Sequence, residues 1–312
     1  MKFACVFPGQ GSQSIGMMAE LAETYPVVTE LFAKASDVLG YDLWKIVQEG
    51  PAEELNKTEV TQPAMLTAGV AVYEILKSKI SVEPVLYAGH SLGEYTALVC
   101  TGSLKFEDAV KLVSQRGKLM QAAVPDGVGA MAAILGLDDA VILDLCKTAS
   151  DDNYAVQAVN FNSPGQVVIA GNKQAVEITM AMAKEAGAKR ALKLPVSVPS
   201  HSKLMEGAAK ELAAFIKEEI KVTKPAIPVL QNVVAKAYTR PSDITKALVK
   251  QLHNPVLWVD TVNNLIAEGV EATIECGPGK VLLGLNKRIN KEVAHYTIND
   301  IASLDSTVEA LS

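Results

Sequence analysis

The chain has 312 residues, of which 49% are hydrophobic and 21% charged, a composition typical of a globular protein rather than a disordered or fibrous one. Its net charge of −6 argues against a nucleic-acid binder, because such proteins usually carry a strongly basic balance. The length is large for one compact core and predicts two domains, or one large domain with an insertion.

The cysteine spacing and the lengths of the apolar stretches indicate a cytoplasmic protein. Cys5, Cys100, Cys146 and Cys276 have neither the spacing of a metal site nor that of a disulfide framework, so we expect reduced thiols and no metal. The first apolar run ends at Pro8, too early for a signal peptide, and no stretch approaches the roughly 20 apolar residues of a membrane span. We therefore expect a cytoplasmic protein with no membrane and no nucleic-acid partner.

The first part of the chain alternates strand and helix patterns. A short buried strand over 2–7 is followed by a loop over 8–13. Apolar residues at helical spacing, or apolar on nearly all sides, predict several helices, and a second apolar run predicts a strand. The predicted helices cover 17–39, 64–76, 94–100 and 106–122, and the second strand covers 85–88.

The middle of the chain has a different order. Its segments read strand, helix, strand, strand, helix, strand, which is the ferredoxin-like pattern. The predicted elements are 130–134, 138–148, 155–160, 167–170, 173–185 and 190–194. We interpret 125–197 as an inserted small ferredoxin-like domain.

The α/β alternation then returns. Helices are predicted over 203–217 and 245–252 and from 280 onward, with strands over 229–232 and 272–275. The fold class is therefore α/β. Residues 1–124 and 198–312 form a large domain with a mostly parallel sheet, and the small domain is inserted into it.

The segment from Gly89 to Gly93 reads Gly-His-Ser-Leu-Gly and matches the G-x-S-x-G nucleophile elbow. A sharp turn between strand and helix exposes the serine, here Ser91, and the small flanking residues avoid clashes. The Leu92 N–H then points to where an oxyanion would form, at the positive end of the helix. The buried strand before it and the helix after it favour this reading and a hydrolase-like large domain, although an ordinary strand-to-helix turn remains the alternative.

A nucleophilic serine needs a base, and histidine is the usual one. His90 lies inside the elbow, so its side chain is expected to point elsewhere, while His295 lies in a strand-like run and His253 at a helix end. His201 starts a helix at the junction of the two predicted domains, where a cleft would form. It is the favoured base, and a helix-start histidine without a catalytic role is the alternative.

No acid stands out as the third member of a triad. Asp126, Asp138 and Glu177 lie between Ser91 and His201, but in helices or loops of the insertion with no distinctive setting. A backbone carbonyl can orient an imidazole instead. The sequence therefore predicts a Ser–His dyad.

The loop after the first strand resembles the start of a dinucleotide-binding fingerprint. Gly9 and Gly11 fit, but Ser14 stands where the third glycine belongs, and the acidic residue expected after a second strand is missing. We expect this loop instead to supply a second backbone N–H to the oxyanion hole.

Nine segments in one order resemble the malonyl-CoA:acyl carrier protein transacylases of bacterial fatty-acid synthesis. Together they are far more specific than any one of them. They are FPGQGSQ at 7–13, TQPA at 61–64, GHSLGE at 89–94, QRG at 115–117, GAM at 129–131, NFNSPGQ at 160–166, VPSH at 198–201, QLHNP at 251–255 and GPGK at 277–280.

The resemblance implies a role for several residues. Ser91 would be the nucleophile and His201 the general base. The backbone N–H groups of Gln10 and Leu92 would form the oxyanion hole, and the backbone carbonyl of Gln251 would orient His201.

It also implies how the acyl group is bound. Arg116 would bind the free carboxylate of malonyl as a planar fork, whereas from the sequence alone it is a helix arginine on a solvated or salt-bridged face. Met120 and Met131 would line the acyl pocket. Polyketide relatives carry Phe where this chain has Pro199, so this position does not predict discrimination against branched acyl groups. Contacts to coenzyme A or phosphopantetheine are expected from Gln62, Asn162, Gln166 and Arg190.

The expected reaction is transfer of malonyl from malonyl-CoA to the phosphopantetheine thiol of acyl carrier protein, through a malonyl-serine, feeding fatty-acid elongation. No cofactor is expected, and the chain is expected to be a monomer. An acidic carrier protein would dock on basic residues, which are Lys189, Arg190, Lys193, Lys280, Lys287, Arg288 and Lys291. Two alternatives remain: an esterase or thioesterase that uses water as acceptor, and a non-catalytic module that binds a carrier protein or a nucleotide.

Overall fold

The computed structural model describes residues 1–196 and 198–311. The strands in this part of the chain are β1 (Phe3–Phe7), β2 (Leu86–Gly89), β3 (Gly129–Leu135), β4 (Val156–Ser163), β5 (Gln166–Asn172), β6 (Arg190–Lys193), β7 (Val229–Gln231), β8 (Lys236–Ala237), β9 (Ala272–Cys276) and β10 (Ala294–Ile298). The helices are α1 (Ala19–Thr24), α2 (Val27–Leu39), α3 (Leu43–Glu49), α4 (Ala52–Leu55), α5 (Thr58–Lys79), α6 (Gly93–Cys100), α7 (Phe106–Ala122), α8 (Asp139–Thr148), α9 (Lys173–Glu185), α10 (Glu206–Glu219), α11 (Pro241–Gln251), α12 (Trp258–Ala267), α13 (Val281–Ile289) and α14 (Ile301–Leu311).

The larger sheet has the strand order β10-β9-β1-β2-β7-β8. Every pair is parallel except β7 with β8. Phe7 at the end of β1 pairs with Gly89 at the end of β2, so the loops that follow these two strands emerge side by side. The active-site cleft of an α/β sheet is expected at such carboxyl ends.

Helices cover both faces of this sheet. All five residues of β1 are buried, as expected for a strand in a sheet covered on two sides. Phe3, Cys5 and Phe7 pack into the large core with α2, α5 and α7. Ala4 and Val6 point to the other side and pack with α12 and α13. The alternation of side chains along β1 therefore joins the two halves of the core.

The smaller sheet is antiparallel and has the order β4-β5-β3-β6, as expected for a ferredoxin-like arrangement. Helices α8 and α9 cover one face, where Ile134, Ile169 and Val176 are buried. The other face presents a separate apolar cluster that includes Met131 and Val168. All four strands lie within the segment predicted as the small domain; the exact boundary at residue 197 lies outside the described residues, and the domain division stays a prediction.

A short backbone link connects the two sheets. Phe161 donates its N–H to the carbonyl of Val256 at 3.0 Å, and Val256 donates to Val159 at 2.9 Å. This link joins β4 of the small sheet to the segment between α11 and α12. In the same segment Leu257 donates to the carbonyl of Asn232, directly after β7, at 3.1 Å, so this link holds the small sheet beside the carboxyl ends of the large one.

Two sequence-based expectations need correction. The helix predicted over 17–39 is two helices, α1 and α2, separated at Tyr25 and Pro26, because proline has no N–H to continue a helix. The helix predicted from 203 begins as a 3₁₀ turn over Lys203–Met205. Within the described residues, no helix combines the length and the apolar character needed to cross a lipid bilayer.

Candidate active site

Ser91 lies on the turn between β2 and α6 with a φ of +51°, in the left-handed region. Non-glycine residues enter this region rarely and at an energetic cost, so surrounding contacts must hold it there. The Ser91 N–H donates to Asn232 Oδ1 at 2.7 Å, and Asn232 Nδ2 donates to the Gly89 carbonyl at 2.7 Å. The Asn232 side chain therefore clamps the elbow from β7, the next strand in the sheet.

The glycines of the elbow are required by close backbone contacts. A Cβ at Gly89 would lie 1.9 Å from the carbonyl carbon of Gly93, and a Cβ at Gly93 would lie 2.0 Å from the Phe7 carbonyl oxygen. No side chain fits at these distances. The G-x-S-x-G spacing thus lets α6 start directly against β1 and β2.

Ser91 and His201 are hydrogen-bonded, with 2.8 Å between Oγ and Nε2. His201 Nδ1 lies 2.6 Å from the backbone carbonyl oxygen of Gln251. A carbonyl oxygen only accepts, so Nδ1 carries the proton and Nε2 is free to accept the proton of Ser91. The structure thus places the predicted nucleophile, base and orienting carbonyl in one chain of hydrogen bonds.

Burial keeps His201 neutral. The residue is 3% exposed, and loss of solvation together with the positive charge of Arg116 lowers the pKa of His201 to about 3. An imidazole with this pKa is unprotonated near neutral pH. It is therefore in the form that a general base requires.

Arg116 is buried beside the pair, with 1% of its surface exposed. Nη1 donates to Gln62 Oε1 at 2.8 Å, and Nη2 donates to Gln251 Oε1 at 2.9 Å and to Ser91 Oγ at 3.3 Å. Its guanidinium also lies over the Tyr95 ring, 5.3 Å from the centroid. Within the described residues all its hydrogen-bond acceptors are neutral oxygens, so its charge is available to an anion.

A glycine next to Arg116 brings its helix close to α5. A Cβ at Gly117 would lie 2.6 Å from the Cα of Glu59, so only glycine permits this approach. The close crossing of α7 and α5 sets Arg116 against Gln62. The sequence QRG at 115–117 thus combines a charge with the packing that orients it.

A cavity of about 410 Å³ opens above Ser91 between the two sheets. The loop after β1, the elbow and the open face of the small sheet form its walls. Its lining includes Gln10, Ser91, Leu92, Arg116, Met120, Met131, Asn162, Val168, Val198 and His201. Met120 is 2% and Met131 7% exposed, and both predicted acyl-pocket methionines line the cavity.

The two predicted oxyanion-hole residues flank the same cavity. Gln10 follows β1, and Leu92 immediately precedes α6. Neither backbone N–H has a hydrogen-bond acceptor in the part of the chain that the structure describes. Both N–H groups thus remain available to a ligand, and their catalytic role stays a prediction.

The four expected coenzyme A or phosphopantetheine contacts occupy different places. Asn162 lines the cavity, and its Oδ1 lies 2.7 Å from His90 Nε2. Gln62 is 1% exposed and bonds to Arg116, so it lies behind the cavity wall. Gln166 accepts from Arg288 at 2.6 Å, and Arg190 is exposed on β6. The structure therefore brings only Asn162 of the four to the cavity lining.

Sequence reasoning missed Asn232, Glu94 and the side chain of Gln251. Glu94 Oε2 accepts from the Asn232 N–H at 2.8 Å and from Gln251 Nε2 at 3.0 Å, entirely within the protein. One signal was available for Asn232: it directly follows β7, a parallel neighbour of β2, so both strand ends meet at one edge. Within residues 1–196 and 198–311, no group of three or more His, Cys, Asp or Glu side chains is placed to hold a metal.

Comparison with known proteins agrees with this geometry. A family model described as an acyl transferase domain matches residues 4–304. A malonyl CoA-acyl carrier protein transacylase of Haemophilus influenzae is 58% identical over 311 residues, 99% of each chain. An acyl carrier protein S-malonyltransferase structure from Vibrio cholerae has a TM-score of 0.95 and 56% identity, covering 98% of this chain and 100% of that one. A malonyl-transacylase solved in complex with a type II PKS acyl-carrier protein has a TM-score of 0.97 and 53% identity, covering 99% and 100%.

A nucleophile elbow, a mostly parallel sheet and these matches define the chain as an acyltransferase with an acyl transferase domain. Within that class, it belongs to the malonyl-CoA:acyl carrier protein transacylase family. The family predicted from the nine sequence segments is confirmed, and so is the α/β fold with its antiparallel second sheet.

Proposed function

We propose that this chain transfers malonyl from malonyl-CoA to the phosphopantetheine thiol of an acyl carrier protein, through an ester on Ser91. One observation supports this most directly. Ser91 Oγ lies 2.8 Å from a neutral imidazole nitrogen and 3.3 Å from the buried Arg116 guanidinium. A nucleophile, its base and a cation for the free carboxylate thus meet at one atom.

In the first half-reaction, Ser91 Oγ attacks the thioester carbonyl carbon while its proton moves to His201 Nε2. The carbonyl oxygen becomes an oxyanion, which the N–H groups of Gln10 and Leu92 would stabilise. Collapse of this intermediate breaks the C–S bond. Coenzyme A leaves as a thiol after taking the proton back from His201.

The second half-reaction reverses these roles. The carrier's thiol gives its proton to His201 and attacks the carbonyl carbon of the malonyl ester. The C–O bond to Ser91 breaks, and His201 returns the proton to the serine oxygen. A single base serves both steps because each step begins and ends with a neutral imidazole.

Arg116 supplies the preference for malonyl. The malonyl carboxylate lies two bonds beyond the reacting carbonyl carbon, within reach of a guanidinium that already contacts Ser91 Oγ. A planar fork binds a carboxylate better than a point charge does. The apolar wall that includes Met120 and Met131 would contact the central carbon of the acyl group.

The carrier protein is proposed to dock beside the cavity on basic side chains of α13, because Val281, Leu282 and Leu285 of the same helix line the cavity. Arg288 on α13 donates to Gln166 on β5 at 2.6 Å, so α13 also contacts the small sheet. One solved relative is a malonyl-transacylase in complex with its acyl-carrier protein. The fatty-acid pathway, the cytoplasmic location, the monomeric state and the lack of a cofactor stay predictions.

A carrier-loading assay tests the proposal. The chain is mixed with malonyl-CoA and the phosphopantetheine-bearing carrier, and malonyl-carrier and free malonate are measured by mass spectrometry. We expect malonyl-carrier to be the main product. Release of malonate without carrier loading would assign the same Ser–His pair to a thioesterase instead.

A further inference from the structure

Glu94 is a carboxyl group buried three residues after the nucleophile, with 0% of the residue exposed. One of its oxygens, Oε2, accepts from the Asn232 backbone N–H at 2.8 Å and from Gln251 Nε2 at 3.0 Å. The other oxygen, Oε1, has no hydrogen-bond partner in the described part of the chain. A buried carboxyl is costly unless its surroundings use it, so its position calls for an explanation.

The carboxyl helps to set which way the Gln251 amide faces. The nitrogen end donates to Glu94 Oε2 and to the Ser91 carbonyl at 2.9 Å, while the oxygen end accepts from Arg116 Nη2 at 2.9 Å. A flipped amide would point its NH₂ group at the guanidinium, donor against donor. It would also turn its oxygen towards Glu94 Oε2 and the Ser91 carbonyl, acceptor against acceptor, so these two acceptors disfavour the flip.

The same oxygen fixes the main chain at Asn232. Asn232 Oδ1 holds the Ser91 N–H, and Gln251 presents its backbone carbonyl to His201 Nδ1. Both residues that bond to Glu94 therefore contact the Ser–His pair. The Glu94 carboxyl itself contacts neither Ser91 nor His201, but it is connected to both through Asn232 and Gln251.

The charged neighbours of Glu94 are few. Burial raises the pKa of Glu94 to about 7, and the donors of Asn232 and Gln251 and the charge of Arg116 only partly offset this. Tyr95 is the other titratable group near it, and burial raises the pKa of Tyr95 to about 12, so it stays neutral. Arg116 on α7 is thus the charged group that Glu94 influences, and ionised Glu94 offsets part of its charge.

We propose that Glu94 is a positioning residue, which locks the Gln251 amide and the Asn232 main chain and thereby sets Arg116 for the malonyl carboxylate. This inference rests on the proposed function, because it assigns the malonyl preference to the Glu94–Gln251–Arg116 chain. It differs from a purely structural role in one respect. Loss of the acceptor must change the choice between acyl donors, and not only the overall rate.

The test compares Glu94→Leu, which removes the acceptor, with Glu94→Gln, which keeps one carbonyl oxygen for the two donors. Single-turnover acylation of Ser91 is measured with malonyl-CoA and with acetyl-CoA by intact-mass spectrometry. We expect Glu94→Leu to lower the malonyl-to-acetyl rate ratio about tenfold or more, the size of one lost hydrogen bond to a charged group. Glu94→Gln is expected to restore most of the ratio at neutral pH.

The pH profile of the ratio provides a second readout should Glu94→Leu fail to fold. In the wild type the ratio is expected to fall between about pH 6 and about pH 8, as Glu94 ionises and offsets Arg116. The phosphates of coenzyme A cancel because both donors carry them. In Glu94→Gln the ratio is expected to stay flat over the same range.

A second buried carboxyl serves as the control. Glu275 is 1% exposed, and burial raises its pKa to about 7, but its oxygens accept from the N–H groups of Leu282 and Leu283 at the start of α13. Glu275→Gln is expected to alter stability without changing the malonyl-to-acetyl ratio or its pH dependence.

Two outcomes would overturn the inference. One is a folded Glu94→Leu variant with the wild-type ratio, and the other is a Glu94→Gln variant whose ratio keeps the wild-type pH dependence. If wild type forms no acyl-Ser91 with either donor, the proposed function fails instead, so the two failures are distinguishable.

Discussion

The Ser91 hydroxyl lies between a base and a cation that differ in kind. His201 is a neutral proton acceptor, whereas Arg116 is a cation even though burial lowers the pKa of its guanidinium. Their hydrogen bonds to Oγ, at 2.8 Å and 3.3 Å, are proposed to serve proton transfer and substrate choice, respectively. Two predictions separate these tasks.

Arg116→Ala is expected to slow acylation by malonyl-CoA about a hundredfold and to relax the preference towards acetyl, because the carboxylate loses a charge-assisted contact. Single-turnover acylation with both donors measures the change. Lys118→Ala, an exposed position on the same helix, is the matched control and is expected to keep wild-type selectivity. Unchanged selectivity in Arg116→Ala would remove the role given to this residue.

The pH response of Ser91 is expected to reflect the lowered pKa of His201. In the folded chain this pKa is about 3, against an ordinary value of 6.5. As the pH falls from 6.5 to about 3, the unfolded chain therefore binds a proton at this histidine before the folded chain does, and the free energy of unfolding decreases. The rate at which a fluorophosphonate labels Ser91 should therefore stay nearly constant down to about pH 5. In Arg116→Ala a repelling charge is gone, so the rate should begin to fall at a higher pH. A wild-type midpoint near 6.5 would contradict this.

At this scale the sequence predicted part of the site. The elbow pattern favoured Ser91, the junction of two predicted domains favoured His201, and the family resemblance implied Arg116; the structure brings the three together, and their catalytic roles stay predictions. Glu94 and Asn232 were not found, because their roles depend on contacts that join distant parts of the chain. Asn232 lies 141 positions from Ser91 and is brought to it only by the pairing of β2 with β7.

In the elbow formed by β2, its turn and α6, the backbone is packed too closely to accept a side chain at Gly89. Gly89→Ala would place a methyl group 1.9 Å from backbone atoms, so we expect it to destabilise the fold by more than about 4 kcal/mol or prevent folding. Gly207 in α10 is the matched control, since a Cβ there meets nothing within 4 Å. Gly207→Ala is expected to stabilise by about 0.5–1 kcal/mol. Urea unfolding measures both, and a stable Gly89→Ala enzyme would refute the packing argument.

Periodicity predicted most helices and strands, and its failures have physical causes. Helix α7 spans Phe106–Ala122, as predicted, because its apolar residues face one side. Pro26 divides a pattern that periodicity alone treats as continuous. Helix α12 was missed although Trp258, Val262 and Leu265 recur at helical spacing and are buried, so that signal was present in the sequence.

Over the whole molecule, the cavity depends on two sheets meeting. The open face of the small sheet contributes Met131 and Val168, and the large sheet contributes the elbow and the loop after β1. The ferredoxin-like strand order followed from the pattern of elements. The backbone link through Val256 that holds the sheets together did not, because a single-residue bridge has no sequence signature.

Docking of the carrier is also a property of the whole molecule. The double charge reversal Lys287→Glu and Arg288→Glu is expected to slow malonyl transfer to the carrier about tenfold or more, since like charges would oppose an acidic partner. Formation of malonyl-Ser91 from malonyl-CoA should be unaffected. Lys34→Glu with Lys45→Glu, exposed positions on α2 and α3, is the matched control. Equal carrier turnover in both double variants would exclude this part of the surface as the dock.

Ser91 is proposed to carry malonyl between the two thiols. The most direct measurement is intact-mass spectrometry of the chain after brief mixing with malonyl-CoA, beside a Ser91→Ala variant, followed by addition of the phosphopantetheine-bearing carrier. We expect one malonyl group on the wild type, none on Ser91→Ala, and loss of the adduct as malonyl-carrier forms. No adduct on the wild type, or an equal adduct on Ser91→Ala, would contradict it.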